Sequence, residues 1–141
     1  MVMNFKKLVI CVGLPHSGKS TWAKQQNLPI VNPDSIRLAL HGLPYVQEAE
    51  DFVWAIARVM VRSLLIAGNN EVIIDATNIT EKRRDYWADF FTDCEIKFKY
   101  FDTPVEVCIE RAKNNDRDDL VPVIIRMAGN QEPNMLFENS Q

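Results

Sequence analysis

The sequence predicts an α/β fold, in which a parallel sheet of four or five strands has helices on both faces. Four short apolar runs, at 8–12, 29–32, 71–75 and 96–101, are typical of strands that are buried on both faces. Helical patterns separate these runs, and that alternation is typical of repeated strand–helix–strand units. The chain has 141 residues, and no shift in composition marks a boundary, so residues 1–141 are expected to form one domain.

A glycine-rich motif follows the first strand. Residues 13–20, Gly-Leu-Pro-His-Ser-Gly-Lys-Ser, fit the pattern G-x-x-x-x-G-K-[ST] between a predicted strand and a predicted helix. In such a loop, backbone N–H groups hold phosphates, the lysine reaches the β- and γ-phosphates, and the serine hydroxyl ligates Mg²⁺. His16 is either a tolerated substitution for glycine or a ring that contacts phosphate. The predicted nucleotide site consists of Gly13, Pro15, His16, Ser17, Gly18, Lys19, Ser20 and Thr21.

A short helix with an acidic first turn follows the second strand. Asp34 begins this helix, predicted over 34–40, and Arg37 lies one turn further on the same face. Because ligands bind outside the carboxyl ends of parallel strands, we expect Asp34 to lie at the edge that carries the glycine-rich loop. A carboxylate and a guanidinium there predict a general base and a charge stabiliser. The alternative is an aspartate that only stabilises the positive end of its helix.

Asp75 ends the third strand. The helix before that strand is predicted over 46–67 from apolar residues at three- and four-residue spacing, and Gly68 is suited to the position after its last turn. An aspartate at the end of an apolar strand predicts a Mg²⁺ ligand, with a turn cap as the alternative. Thr77 and Asn78 add donors that can bind phosphate or sugar oxygens of a substrate.

The fourth strand leads into another helix. Thr103, Pro104 and Glu106 have the spacing of an N-cap, a first-turn proline and a capping-box glutamate, so they predict a helix over 103–114. Asp102, before the cap, is expected to be a turn residue rather than a part of the site.

Residues 111–122 are expected to form a lid. The stretch 114–119 is polar, which predicts a mobile loop, and a last short helix is predicted over 122–129, before a tail at 130–141. Arginines that close over a triphosphate can stabilise transition-state charge, although solvated surface arginines are the alternative. The candidates are Arg111 and Arg126 for catalysis and Arg117 for the nucleotide.

The charge of the chain restricts its partners. With 16 Lys+Arg against 19 Asp+Glu and no basic run, any contact with nucleic acid must be local. Arg83 and Arg84 are candidates for such a site, with a charged helix face as the alternative. The apolar run 8–14 has no cleavage site after it, so we expect a cytoplasmic protein. The aromatic residues are expected to be mostly core, with one at most as a base-stacking platform: Trp22, Trp54, Trp87, Phe90 and Phe91.

Together these motifs resemble the P-loop kinases of the phage-type polynucleotide 5′-hydroxyl kinase group. The glycine-rich loop resembles that family's G-x-P-G-S-G-K-S-T-W, and residues 32–37 are similar to its N-x-D-x-x-R. Two departures stand out, since His16 replaces a loop glycine and the acid of the strand-three motif lies one position earlier, at Asp75. The similar segments are 13–22, 32–37, 72–84 and 101–127.

The resemblance implies a three-layer P-loop kinase fold with strand order 2-3-1-4. It also implies transfer of phosphate from ATP, with Mg²⁺, to the 5′-hydroxyl of a nucleic-acid end. A kinase of a nucleoside or other metabolite remains open, as does a nucleotide-dependent binding module without an acceptor. The choice between DNA and RNA and the oligomeric state also remain open, and no partner protein is implied. The implied catalytic residues are Asp34, Lys19, Arg37, Arg111 and Arg126, and the substrate-binding residues are Asp34, Arg37, Asp75, Thr77, Asn78 and Arg83.

Overall fold

The computed structural model describes residues 5–42 and 44–132 and places four parallel strands in one sheet. The strand order is β2-β3-β1-β4, which confirms the predicted fold class and order. No fifth strand occurs within the described ranges. The strands are β1 (Lys6–Val12), β2 (Ile30–Val31), β3 (Glu71–Ile74) and β4 (Cys94–Tyr100).

Six α-helices and two short 3₁₀ helices connect and cover the strands in the described part of the chain. None of these helices is long and apolar enough to cross a lipid bilayer. Residues 133–141 of the predicted tail lie outside the described residues. The α-helices are α1 (Lys19–Gln25), α2 (Pro33–His41), α3 (Glu50–Ile66), α4 (Glu81–Phe90), α5 (Val105–Asn114) and α6 (Val121–Asn130), and the 3₁₀ helices are Gln47–Ala49 and Asp118–Leu120.

Strand β1 lies at the centre of the sheet and is buried on both faces. Leu8 pairs with Val72 of β3 on one side and with Ile96 of β4 on the other. Because side chains alternate along a strand, Leu8 faces the core formed with α3 and α4, whereas Val9 faces the core formed with α1. A third cluster, around Ile124 of α6, lies beneath the glycine-rich loop.

Several predicted helix ends differ in the structure. Helix α3 begins only at Glu50, after a 3₁₀ turn, and α6 continues past Gly129 to Asn130. The cap predicted at Thr103 is wrong, because Pro104 is the N-cap residue of α5. The Thr103 hydroxyl instead donates a hydrogen bond of 2.8 Å to the carbonyl of Ser17. Gly68, with φ of +109°, occupies the position after α3 that was predicted for it.

Candidate functional site

A cleft of about 800 Å³ lies at the carboxyl ends of the strands, where an open parallel sheet binds its ligands. Its walls come from the loops that follow β1, β2 and β3 and from the segment between α5 and α6. The volume falls within the range of small-molecule sites. Most of the predicted site residues line it: Pro15, His16, Ser17, Gly18, Lys19, Ser20, Thr21, Asp34, Asp75, Thr77, Arg111 and Arg117.

The glycine-rich loop is held in one conformation by its packing. A Cβ atom at Gly13 would lie 2.7 Å from Ser17 Oγ and 2.9 Å from Phe101 Cβ, so only glycine fits there. The N–H group of Gly13 donates to the carbonyl of Thr77 at 2.9 Å, which ties the loop to the segment after β3. His16 and Gly18 both have positive φ, of 63° and 104°. Backbone turns of this kind create a concave surface of N–H groups that can bind an anion.

Lys19 lies at the floor of the cleft and is 7% exposed. Its Nζ donates to the carbonyl of Leu14 at 2.5 Å and lies 3.4 Å from Ser17 Oγ. Burial lowers the pKa of Lys19, while the carboxylate of Asp75 acts in the opposite direction. A lysine ammonium has three donors, so Lys19 can bind a phosphate oxygen as well as the loop.

Ser20, Asn32 and Asp75 form a hydrogen-bonded cluster next to Lys19. Ser20 Oγ donates to Asp75 Oδ2 at 2.6 Å, and Asn32 Nδ2 donates to the same oxygen at 3.3 Å. Magnesium is usually bound by one or two carboxylates together with waters and substrate phosphates. A hydroxyl and a carboxylate side by side at the phosphate-binding loop fit that requirement. Within the described ranges, no three His, Cys, Asp or Glu side chains form a metal cluster.

Asp34 projects from the start of α2 into the cleft, and its side chain is 81% exposed. The Asn32 side chain caps the helix by accepting a bond of 2.8 Å from the Asp34 N–H. Arg37 Nη1 donates to Asp34 Oδ1 at 2.7 Å, while its Nε and Nη2 donate to Glu50 at 2.9 and 2.7 Å. Burial alone would lower the pKa of Arg37, but the bonds to Glu50 raise it. Arg37 therefore lies behind Asp34 and orients it.

The segment predicted to be a lid forms one wall of the cleft. Arg111 Nη1 donates to the carbonyl of His16 at 3.1 Å, and Arg117 forms an exposed ion pair with Asp119 at 3.1 Å. Burial lowers the pKa of His16, and the cationic Arg117, Lys19 and Arg111 lower it further. Arg126 is exposed on α6 and is not among the residues that line the cleft.

Three predicted substrate-binding residues, Arg37, Asn78 and Arg83, are not among the residues that line the cleft. Asn78 is 1% exposed, and its amide donates to the Cys11 carbonyl at 2.8 Å and accepts from Trp87 Nε1 at 3.1 Å. The predicted substrate contact of Asn78 therefore does not fit the structure, because both ends of its amide are used inside the core. Arg83 lies on α4, where its guanidinium stacks 3.6 Å from the Trp54 ring.

Sequence reasoning missed Glu50 and the role of Thr103. Both residues act on partners that are distant along the chain, at Arg37 and Ser17. Neither has a local pattern that could have indicated its contact. Asp102 is exposed and does not line the cleft, in agreement with the prediction that it is not a part of the site.

Known proteins are similar to this chain in sequence and in fold. A family model described as an AAA domain matches residues 8–128. A chain in the structure of the Pnkp1/Rnl/Hen1 complex is 36% identical, with a TM-score of 0.72 over 79% of this chain and 40% of that chain. A chain in the structure of the Pnkp1/Rnl/Hen1 RNA repair complex is 26% identical, with a TM-score of 0.71 over 93% of this chain and 48% of that chain. This chain thus spans less than half the length of either.

A small-molecule kinase shares the fold as well. A gluconokinase from Sinorhizobium meliloti 1021 is 16% identical, with a TM-score of 0.61 over 93% of this chain and 78% of that chain. At that identity the likeness concerns the fold alone. The match of the family model over most of the sequence, the glycine-rich loop and the strand order agree with one another. The chain therefore belongs to the AAA domain family and has the fold of a P-loop kinase.

Proposed function

We propose that this domain is a kinase that uses ATP and Mg²⁺ to phosphorylate the 5′-hydroxyl of a nucleic-acid end. The observation that carries the proposal is the position of Asp34, whose carboxylate lines the same cleft as Lys19 and is oriented by Arg37. The 26% identity to a chain of the Pnkp1/Rnl/Hen1 RNA repair complex supports a nucleic-acid end as the acceptor.

In this proposal the residues after β1 and β3 bind the nucleotide. The N–H groups of the glycine-rich loop and the ammonium of Lys19 hold the triphosphate. Ser20 and Asp75 would hold Mg²⁺, which would supply positive charge to offset the charge of the phosphates. Arg111, which contacts the glycine-rich loop at His16, and Arg117 belong to the predicted lid segment, and they stabilise charge on the transferring group. Arg126 has no part in the proposal, since it lies outside the cleft lining.

Asp34 acts as the general base. The acceptor oxygen forms a bond to the γ-phosphorus, the bond from that phosphorus to the bridging oxygen breaks, and ADP leaves. The hydroxyl proton passes to the Asp34 carboxylate. Because Arg37 donates its hydrogen bond to Oδ1 of Asp34, the other oxygen, Oδ2, accepts the proton of the acceptor hydroxyl in this proposal.

Replacement of Asp34 by alanine tests the base. We expect turnover to fall by about 10²- to 10⁴-fold, with the affinity for ATP nearly unchanged. Asp102→Ala is the matched control, because Asp102 is also exposed after a strand but does not line the cleft. Unchanged turnover in Asp34→Ala would show that Asp34 is not the general base.

A small-molecule acceptor is the second candidate, and a second cavity favours it. This cavity of about 540 Å³ lies beside Ser20 and Asp75, and Ile36, Ile56 and Met60 contribute apolar walls. Apolar walls with a few polar groups are typical of small-molecule sites. Labelled ATP with 5′-hydroxyl DNA, 5′-hydroxyl RNA, free nucleosides and sugars separates the candidates. Binding of ATP without phosphorylation of any acceptor would instead indicate a binding module.

A further inference from the structure

A continuous row of arginine and aromatic side chains extends from the candidate base across α3 and α4. Its successive contacts, from each guanidinium carbon to the next ring centre, are 5.8, 3.6, 5.1, 5.3 and 4.1 Å. We call this row the arginine–aromatic ladder; in spatial order it consists of Arg37, Trp54, Arg83, Tyr86, Arg58 and Phe90.

Helical spacing explains how the ladder forms. Trp54 and Arg58 are four residues apart on α3, so they lie on one face of that helix. On α4, Arg83, Tyr86 and Phe90 follow at spacings of three and four residues and form a matching stripe. At 100° per residue, the acidic residues of α4 project from another side of the helix: Glu81, Asp85 and Asp89.

The charge of the ladder is only partly neutralised. Arg37 is bound to Asp34 and to Glu50. By contrast, Arg58 and Arg83 form no ion pair with any described residue. Burial lowers the pKa of Arg83, and the cationic Arg37 acts in the same direction, while Tyr86 and the carboxylates of Glu50 and Asp51 oppose the shift. The ladder therefore concentrates two cations without an ion pair on one surface of a protein whose net charge is −3.

The geometry of these groups suits a nucleic-acid strand. A guanidinium that stacks through its face keeps its N–H edges available for phosphate. Phe90 is 45% exposed, so its ring can also stack with a base. Basic groups along a path with aromatic rings are the usual means by which proteins bind single strands without reading sequence.

We propose that the arginine–aromatic ladder is the track along which a single-stranded acceptor leaves the active site, with its phosphates on Arg83 and Arg58 and a base on Phe90. The inference rests on the proposed function, because the ladder begins at the arginine that orients Asp34. It adds that the acceptor is single-stranded and that contacts several nucleotides from the reacting end contribute to affinity.

Acceptors of different length test the track. The double variant Arg58→Gln with Phe90→Ala is compared with wild type on a single-stranded 12-mer and on a nucleoside 3′-monophosphate, both with a 5′-hydroxyl. We expect the KM for the 12-mer to rise by about 5- to 50-fold, since each base–aromatic contact is worth that order of affinity. The KM for the short acceptor and both kcat values should stay within twofold. A KM for the 12-mer that does not change, or that rises equally for both acceptors, would overturn the track.

Arg62→Gln is the matched control, because it removes the same charge one turn further along α3. Arg62 is paired with Asp93 at 2.8 Å and lies outside the ladder. We expect it to leave both KM values within twofold, and a rise equal to that of the double variant would refute the role of the ladder.

Direct binding separates this inference from the proposed function. Fluorescence anisotropy of a 3′-labelled 12-mer should show weaker binding to the double variant and a salt slope reduced by about 0.7 for each phosphate that the variant no longer neutralises. Failure of wild type to bind the strand, or equal binding by the variant, would refute the track. Strand binding through the ladder without phosphorylation of any 5′-hydroxyl would refute the proposed function alone.

Discussion

Asn78 is expected to hold the core beneath the phosphate-binding site together, and Asn78→Ala tests this role. The side chain joins β1 to α4, because its amide nitrogen donates to the Cys11 carbonyl and its oxygen accepts from the Trp87 indole. Trp87 is fully buried, so its N–H would have no access to water after the substitution.

The expected decrease in stability follows from these hydrogen bonds. A buried donor left without a partner costs about 1–3 kcal/mol, and removal of the bond to Cys11 adds about 1 kcal/mol. The loss of these hydrogen bonds should therefore lower the free energy of unfolding by about 2–4 kcal/mol, beyond the backbone cost of alanine at a left-handed φ. In a domain of this size, that decrease lowers Tm by roughly 8–15 °C.

Thermal and denaturant unfolding measure the effect. Asn27→Ala is the matched control, because Asn27 is exposed and has a similar left-handed φ, 56° against 47° for Asn78. It isolates the backbone cost of alanine, which we expect to be about 1 kcal/mol. A double-mutant cycle with Trp87→Phe should give a coupling of about 1–2 kcal/mol. A loss of stability in Asn78→Ala no larger than that in Asn27→Ala, or a coupling energy of zero with Trp87→Phe, would refute the role in the core. A higher KM for the acceptor at unchanged stability would instead support the predicted substrate contact of Asn78.

Three further predictions concern the loop and the thiols. Gly13→Ala should destabilise the domain by about 1–3 kcal/mol, because the new Cβ atom would overlap Ser17 and Phe101. The same variant should bind an ATP analogue more weakly in calorimetry. Gly129→Ala is the control and should be neutral or stabilising, because nothing lies within 4 Å of a Cβ atom there. Burial and nearby cations lower the pKa of His16 in the folded protein. As the pH falls, His16 is therefore protonated in the unfolded chain before it is protonated in the folded protein. The free energy of unfolding should decrease below about pH 6.5. His16→Asn should reduce that dependence in denaturant unfolding from pH 5 to 8, and an unchanged curve would contradict it. Iodoacetamide at pH 8 should label the partly exposed Cys94 before Cys11. Cys11 is fully buried, and burial raises the pKa of its thiol to about 12. Mass spectrometry that finds Cys11 labelled first would contradict this prediction.

Local patterns predicted most of the fold and part of the site. Each strand and the glycine-rich loop is one contiguous segment, so a local sequence pattern is enough to predict it. The turn at Gly68 was also predicted, because a positive φ after a helix favours glycine in the sequence itself. The roles of Asn78 and Thr103 could not be predicted, since each depends on a partner more than 60 residues away.

The sequence by itself determined the fold class and the phosphate-binding loop, because these follow from alternating apolar runs and from consecutive backbone N–H groups. The strand order was implied only by the resemblance to P-loop kinases. Only the tertiary structure decided which polar side chains face the cleft. It placed Asp34 there with Arg37 and Glu50 behind it, and it turned Asn78 into the core. The physical reason is that the spacing of residues along the chain sets the face of one helix or strand, whereas contact between two elements depends on how they pack. The ladder from Arg37 to Phe90 likewise depends on packing between elements. Helices α3 and α4 each contribute one stripe of side chains, and the two stripes meet only in the folded protein.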